Sequence, residues 1–185
     1  MIGIDEVGRG AWAGPLLVVA ASQITLIDFP VNDSKKLTKK QREAIFEKLR
    51  QICKFGEGWV EADEIDKLGL TKAMRLGVAR ALKALGAKET EEIIMDGHIN
   101  YCEPKFVNVE CVIKADAKYP VVSAASIYAK VTRDNYMAKL SEKHQEYNFA
   151  NNVGYGTAGH RQAINDFGVT KYHRLSYKPV KESLN

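Results

Sequence analysis

Four carboxylates are placed where they could do chemistry. Asp5 and Glu6 are adjacent and follow a short apolar run at residues 1–4. Asp96 closes the apolar run Ile93-Ile94-Met95, and Asp116 follows the alternating stretch 106–113. Adjacent acids behind an apolar strand are costly unless a positive charge lies between them, because like charges held close resist joint ionisation. A divalent cation supplies that charge. Oxygen-only donors suit Mg²⁺ or Mn²⁺ rather than zinc. Four negative charges match two such ions, which at roughly 3.5–4 Å apart clamp the attacking and leaving oxygens of a displacement at phosphorus. Each acid alone has an ordinary alternative, since an acidic strand end before a glycine is often a solvated turn. Recurrence at several strand ends argues for a shared site, because ligands of open α/β sheets gather outside the carboxyl ends of the strands.

Gly8-Arg9-Gly10 follows the first pair of acids, and its glycines allow a sharp turn and close backbone approach to a ligand. Between residues 35 and 50 stand seven Lys/Arg against two Glu. That run is either a solvated helix face or a ridge contacting phosphates. Lys35 and Lys36 precede a helix N-terminus, whose free N–H groups also attract anions. The tail beyond residue 169 carries Lys171, Arg174, Lys178 and Lys181 against Glu182. Composition and spacing together reach metal-dependent phosphoryl chemistry on a polyanion.

The elements that must position these groups are those of one soluble domain. At 185 residues, 45% hydrophobic and 27% charged, the chain can bury a sizeable core. A net charge of +4 and a pI near 8.8 permit a polyanionic partner without requiring one. Three cysteines without a C-x-x-C pair argue against a disulfide framework or a cysteine zinc site. No apolar run reaches the roughly 18–20 residues of a membrane span, and a strand starting at Met1 leaves no room for a signal peptide. A cytoplasmic monomer with no membrane association is expected.

Strands are expected over residues 1–4, 13–22, 54–61, 92–96 and 106–113. Thr38 with Gln41 forms a capping box that opens a helix to about Cys53. Asp63 is expected to cap a short helical turn to Lys67. Residues 70–85 form an amphipathic helix ended by Gly86, within which Gly77 allows close packing. Pro120 opens a helix to about His144, whose small residues 123–126 imply tight packing on the sheet. Residues 151–157 are expected as a loop and 157–167 as a last helix.

In order along the chain stand Gly3-Ile4-Asp5-Glu6-Val7-Gly8-Arg9-Gly10, Asp33-Ser34-Lys35-Lys36-Leu37, Asp96-Gly97, Lys114-Ala115-Asp116-Ala117-Lys118, the run from Ser123 to Asp134, Gly154-Tyr155-Gly156-Thr157 and His173-Arg174-Leu175-Ser176-Tyr177-Lys178-Pro179-Val180. This ordered set resembles ribonuclease HII, the type 2 ribonuclease H of bacteria and archaea, over nearly the whole chain. The resemblance implies an α/β RNase H-like fold: a mixed five-stranded sheet flanked by helices, with a helical C-terminal portion. It implies one domain over 1–185, with a core to about 145 and a substrate-contacting segment beyond.

The family cuts the RNA strand of RNA/DNA hybrids and cuts 5′ of ribonucleotides embedded in duplex DNA, leaving 3′-hydroxyl and 5′-phosphate ends. By the resemblance, Asp5, Glu6, Asp96 and Asp116 are the catalytic acids and the ligands of two Mg²⁺ or Mn²⁺ ions. Asp5 would bridge both, and Asp116 would help hold the ion that activates the water. Gly8, Arg9 and Gly10 match the turn at the 2′-hydroxyl of the scissile ribonucleotide, a group that is both donor and acceptor. Tyr155 matches the tyrosine that packs on the neighbouring deoxyribose and senses the RNA–DNA junction, where the plain alternative is an aromatic packed on the next helix. Ser34, Lys35 and Lys36 match the phosphate-contacting segment. His160 and His173 are placed either on phosphate or in structural hydrogen bonds, and Asp134 at a helix N-terminus or in a salt bridge.

Two departures stand out. Asn152-Val153 occupies the place of a common His-Lys pair, so a lysine contact to the substrate backbone is either missing or supplied elsewhere, which bears on affinity and not on chemistry. Trp12 stands where a smaller residue or proline is usual. A replication or repair partner on the tail is left open. The rival readings are a catalytically idle hybrid-binding module, against which the intact acids argue, and another RNase H-like nuclease of the integrase or junction type, against which the Gly-Arg-Gly turn and Tyr155 argue.

Overall fold

The computed structural model describes residues 1–29, 31 and 38–184. Its five strands are β1 (Ile2–Val7), β2 (Leu16–Gln23), β3 (Cys53–Val60), β4 (Ile93–Asp96) and β5 (Val109–Val112). They form one sheet in the order β3-β2-β1-β4-β5. Strand β1 is antiparallel to β2, with Asp5 opposite Val19, and parallel to β4, with Ile4 opposite Met95. Strand β4 in turn runs parallel to β5. The parallel register brings the carboxyl ends of β1 and β4 together. The helices are α1 (Lys39–Ile52), α2 (Ala62–Leu68), α3 (Leu70–Leu85), α4 (Pro120–Lys143), α5 (Phe149–Asn152), α6 (Ala158–Phe167) and α7 (Lys178–Glu182). None of the described helices is long and apolar enough to cross a membrane.

The chain divides into two compact units. The first, Met1–Val7, Leu17–Trp59 and Met74–Val131, holds the sheet. Leu17, Val19 and Ala21 alternate along one face of β2, as period-2 geometry requires. They belong to a core that includes Leu49 of α1, Ile94 of β4 and the small and aliphatic residues of α4 from Val121 to Ala129. Close approach of α4 to β1 depends on Gly3. A Cβ there would lie 2.6 Å from the backbone of Val121 and Val122. Gly58 does the same for α3, where a Cβ would sit on the Gly77 carbonyl. The second unit, Gly8–Leu16, Val60–Ala73 and Thr132–Asn185, has its own core of Ala13, Met137, Leu140, Tyr147, Phe149, Ile164 and Val180.

Several boundaries differ from expectation. Strand β5 has only four residues, because Phe106 turns inward and is buried ahead of it. Helix α2 is capped by Glu61, not Asp63. The Glu61 N–H donates to the Glu64 carboxylate at 3.0 Å, and Asp63 lies in the first turn paired with Lys67 at 2.8 Å. Residues 149–152 are helical, and α6 is followed by α7. Asp134 lies inside α4, well away from its N-terminus. The capping box at Thr38 is present, with Thr38 Oγ1 accepting the Gln41 N–H at 3.3 Å.

Candidate active site

Strand β1 carries Asp5 into the interior, where it is 8% exposed, while Glu6 on the opposite face is half-buried. The Asp5 Oδ1 accepts the Glu6 backbone N–H at 2.8 Å, and the Ser126 side chain hydrogen-bonds the same carboxylate. Burial pushes the Asp5 pKa up, and the Glu6 charge adds to it. Ser126 and the Glu6 N–H pull it down, Asp96 adds a smaller upward push, and the result is about 8. Asp96 ends β4, and its Oδ1 accepts the Ala115 N–H at 2.7 Å. Beyond β5, Lys114 adopts a left-handed φ of 56°, which turns the chain into the short helical turn Ala115–Ala117 that carries Asp116. A non-glycine residue held left-handed costs about 1–2 kcal/mol. The turn is held by that Asp96 contact and by Ser123 Oγ, which donates to the Asp116 carbonyl. Asp116 itself is 7% exposed.

The structure therefore brings Asp5, Glu6 and Asp96 within electrostatic range and fastens Asp96 to the turn bearing Asp116. Among the described residues no three acid, imidazole or thiol side chains stand ready-made at cation-ligating spacing. The donor chemistry still fits a hard divalent cation. Burial and the neighbouring acids hold the Asp5 carboxyl well above the usual carboxylate range, and a positive charge beside it would favour the ionised form.

The Gly8-Arg9-Gly10 turn belongs to the second unit, where the buried Arg174 guanidinium bonds it and the buried Arg133 guanidinium packs against Gly8 while bonding the chain around it. Arg133 of α4 donates from Nε to the Pro15 carbonyl at 2.8 Å, from Nη1 to Val153 at 2.8 Å and from Nη2 to Ala13 at 3.2 Å. Burial lowers its pKa to about 10, with Arg174 adding to the effect. Gly8 has a φ of 85°, and a Cβ there would meet the Arg133 Nε at 2.3 Å, so only glycine fits. Arg174 donates to Gly14 from Nε and Nη2 and to the Arg9 carbonyl at 3.1 Å; the Tyr177 hydroxyl donates to that same carbonyl at 2.6 Å. The Asp66 carboxylate accepts the backbone N–H groups of Leu175 and Ser176. Arg9 and Gly10 are left exposed, and Tyr155 is 37% exposed with its ring edge 4.0 Å from where a Gly10 Cβ would lie.

The two histidines are buried and away from solvent, so the structural alternative describes them. His160 Nδ1 lies 2.9 Å from the Tyr155 carbonyl, which can only accept, so that nitrogen carries the proton. His160 Nε2 must then accept from His173 Nε2 at 3.1 Å, and His173 Nδ1 accepts the Thr170 N–H at 2.9 Å. Burial lowers both pKa values, His173 to about 4. Asn152 has a loop-holding role: its side chain donates to the Tyr147 carbonyl and accepts the Gly154 N–H at 2.8 Å. Ser34, Lys35 and Lys36 lie outside the described residues. A cavity of about 530 Å³ lined by Arg80, Lys83, Lys105 and Phe106 contains none of the candidate residues.

Sequence reasoning did not assign Ser126, Asn152 or Arg133, and it counted Arg174 with the basic tail that would hold a polyanion, whereas its side chain is fully buried. Ser126 stands in a motif that carries the resemblance, and so do the two arginines. Their burial was not readable, because arginine is a surface residue by default.

The ribonuclease HII family model matches residues 2–180. A ribonuclease HII of Wolbachia sp. subsp. Brugia malayi is 42% identical, over 98% of this chain and 89% of its own length. The ribonuclease HII of Archaeoglobus fulgidus, solved in a complex with PCNA, superposes with a TM-score of 0.82 at 27% identity, covering 96% of this chain and 94% of that one. The ribonuclease H2 of Pyrococcus horikoshii OT3 gives 0.79 at 29% identity, over 98% and 95%. With the mixed sheet and its acidic strand ends, the fold is RNase H-like, and this chain belongs to the ribonuclease HII family of endonucleases that hydrolyse the RNA strand of RNA/DNA hybrids.

Proposed function

We propose that the chain also cuts on the 5′ side of single ribonucleotides in duplex DNA, leaving 3′-hydroxyl and 5′-phosphate ends. Asp5, Glu6, Asp96 and Asp116 would hold two divalent ions, Mg²⁺ or Mn²⁺. Bound there, such ions activate the attacking water and neutralise charge at the leaving oxygen. The observation that carries the metal reading is Asp5: buried, beside Glu6 and within range of the Asp96 charge, with its pKa pushed up to about 8 by burial first and by the Glu6 charge next. Asp5 and Asp116, the two buried acids of the set, would both be among the residues that hold these ions. Arg9 and the neighbouring glycines present backbone groups to the 2′-hydroxyl, a choice that separates RNA from DNA. The fixed Arg9 carbonyl and the partly exposed Tyr155 ring support this assignment. Lys35 and Lys36, with Ser34, would contact the phosphate backbone. The segment beyond about residue 146, which carries Tyr155, would add further substrate contacts.

Cleavage of a DNA duplex carrying one ribonucleotide, beside a uniform hybrid, with Mg²⁺ and then Mn²⁺, tests this directly. Cutting of the hybrid alone would remove the single-ribonucleotide reading. Absence of cutting on both with either ion would remove the metal assignment as well.

A further inference from the structure

Trp12 has no part in the chemistry, yet its ring is placed with unusual closeness to the Tyr155 loop. A Cβ on Gly156 would lie 2.1 Å from Cε2 and Cζ2 of the indole, so the ring rests flush on the Gly156 backbone. Gly156 has no left-handed φ, which means that space and not backbone conformation requires glycine there. The Arg161 guanidinium stands 5.0 Å from the centre of the Trp12 ring, and the His160 ring 5.7 Å from it. Trp12 also donates its backbone N–H to the Gly154 carbonyl at 2.7 Å and accepts the Arg174 N–H at 2.7 Å. The residues on both sides of Tyr155 are thus tied to Trp12, one by its backbone and one by its ring. Asn152 holds the loop from the N-terminal side and His160 from the Tyr155 carbonyl. The Tyr155 ring itself is 37% exposed and has the Arg133 guanidinium 5.9 Å from its centroid.

We propose that Trp12 is a positioning residue that holds the Tyr155 ring ready for the sugar at an RNA–DNA junction. This rests on the reading of Tyr155 as the junction-sensing residue. An exposed ring on a loop that must first be ordered loses affinity to that ordering, and a loop fixed beforehand does not. The chain has Val153 where a lysine contact to the backbone would help to seat the substrate, and Trp12 supplies order to the same loop by packing.

The test compares kcat and KM of wild type, Trp12→Ala, Trp12→Phe, Tyr155→Ala and Trp12→Ala/Tyr155→Ala. The substrates are a single-ribonucleotide duplex and a uniform hybrid. Trp12→Ala should lower kcat/KM on the single-ribonucleotide duplex by about tenfold, chiefly through KM, with a loss several times smaller on the hybrid. Trp12→Phe should restore most of it, and the double variant should be no more impaired than Tyr155→Ala. Equal losses on the two substrates, or full additivity in the double variant, would overturn the inference. Should Trp12→Ala not fold, Gly156→Ala displaces the indole from the other side and must give the same selective loss; a loss equal on both substrates counts against the inference in the same way. If Tyr155→Ala itself loses both substrates equally, the reading of Tyr155 fails and the role of Trp12 with it, a result visible before any Trp12 variant is considered.

Discussion

Replacing Asp5 with asparagine should make the metal-free protein more stable while ending its activity. The folded-state pKa of Asp5 is raised from 3.8 to about 8. A raised folded pKa means that the stability tied to this group is fully present below about pH 3.8 and is lost as pH rises towards 8. At pH 7 the unfolded chain gains from ionising a free carboxyl while the folded protein keeps the proton. About three pKa units at roughly 1.4 kcal/mol each come to about 4 kcal/mol. Asparagine carries no such cost, and its amide oxygen can still accept the Glu6 N–H. Allowing for relaxation around the buried acid, roughly 2–4 kcal/mol should be recovered, which for a chain of this size is a melting-point rise of about 4–16 °C. Thermal unfolding in EDTA at pH 7.5 and at pH 5 reads this out, with the gain shrinking at the lower pH. Adding Mg²⁺ should raise the wild-type melting point, since a ligand bound to the native state alone stabilises it, and should move the variant far less. Equal melting of the two proteins in EDTA at both pH values would refute the electrostatic argument. An equal response to Mg²⁺ would refute Asp5 as a ligand.

Other consequences follow from the same geometry. Burial of neutral His173 lowers its pKa from 6.5 to about 4; its contribution is therefore intact above pH 6.5 and lost as pH falls towards 4, at about 1.4 kcal/mol per pH unit. Urea unfolding at pH 7 and pH 4.5 should show a flatter pH dependence for His173→Gln than for wild type, and an identical slope would remove the argument. Gly3→Ala drives a methyl against the α4 backbone at 2.6 Å and should cost about 1–3 kcal/mol by overpacking, measured by the same urea titration. Tyr155→Ala should impair single-ribonucleotide cutting more than hybrid cutting, by steady-state kinetics on the two substrates. Lys35→Ala with Lys36→Ala should weaken binding and reduce the slope of log K against log salt by about two, since each phosphate contact releases counterions; an unchanged slope would return both to a solvated face.

What could be read in the sequence was whatever depends on neighbours along the chain. The capping box needs only Thr38 and Gln41, the amphipathic helix α3 only its own repeat, and Asp96 at the end of β4 only the apolar run before it. The tight packing of α4 was legible in the same way from its small residues. The end of β1 was not: the strand runs on through Val7 in register with β2, so Asp5 and Glu6 lie inside it. What was hidden depends on partners far apart. Arg133 is buried against the Pro15 carbonyl, 118 positions away, and Arg174 against that of Gly14, 160 positions away. The groups that meet these charges are chiefly backbone carbonyls, which every residue has, so residue type did not mark either arginine as interior; the nearby side chain of Tyr177 also accepts from Arg174. Asp63 looked like a cap by composition, but the chain enters α2 two residues earlier and Glu61 takes the position. The histidines kept two readings until a tautomer could be assigned, and that assignment needs the Tyr155 carbonyl at one end and the Thr170 N–H at the other. Trp12 is the sharpest case. From the sequence it is only a bulky residue after a glycine turn, and its fit becomes visible when Gly156, 144 positions on, is seen to leave the space its ring fills. Motif residues that carry chemistry announce themselves by type, whereas those that hold a recognition loop in place do so only through the contacts that folding creates.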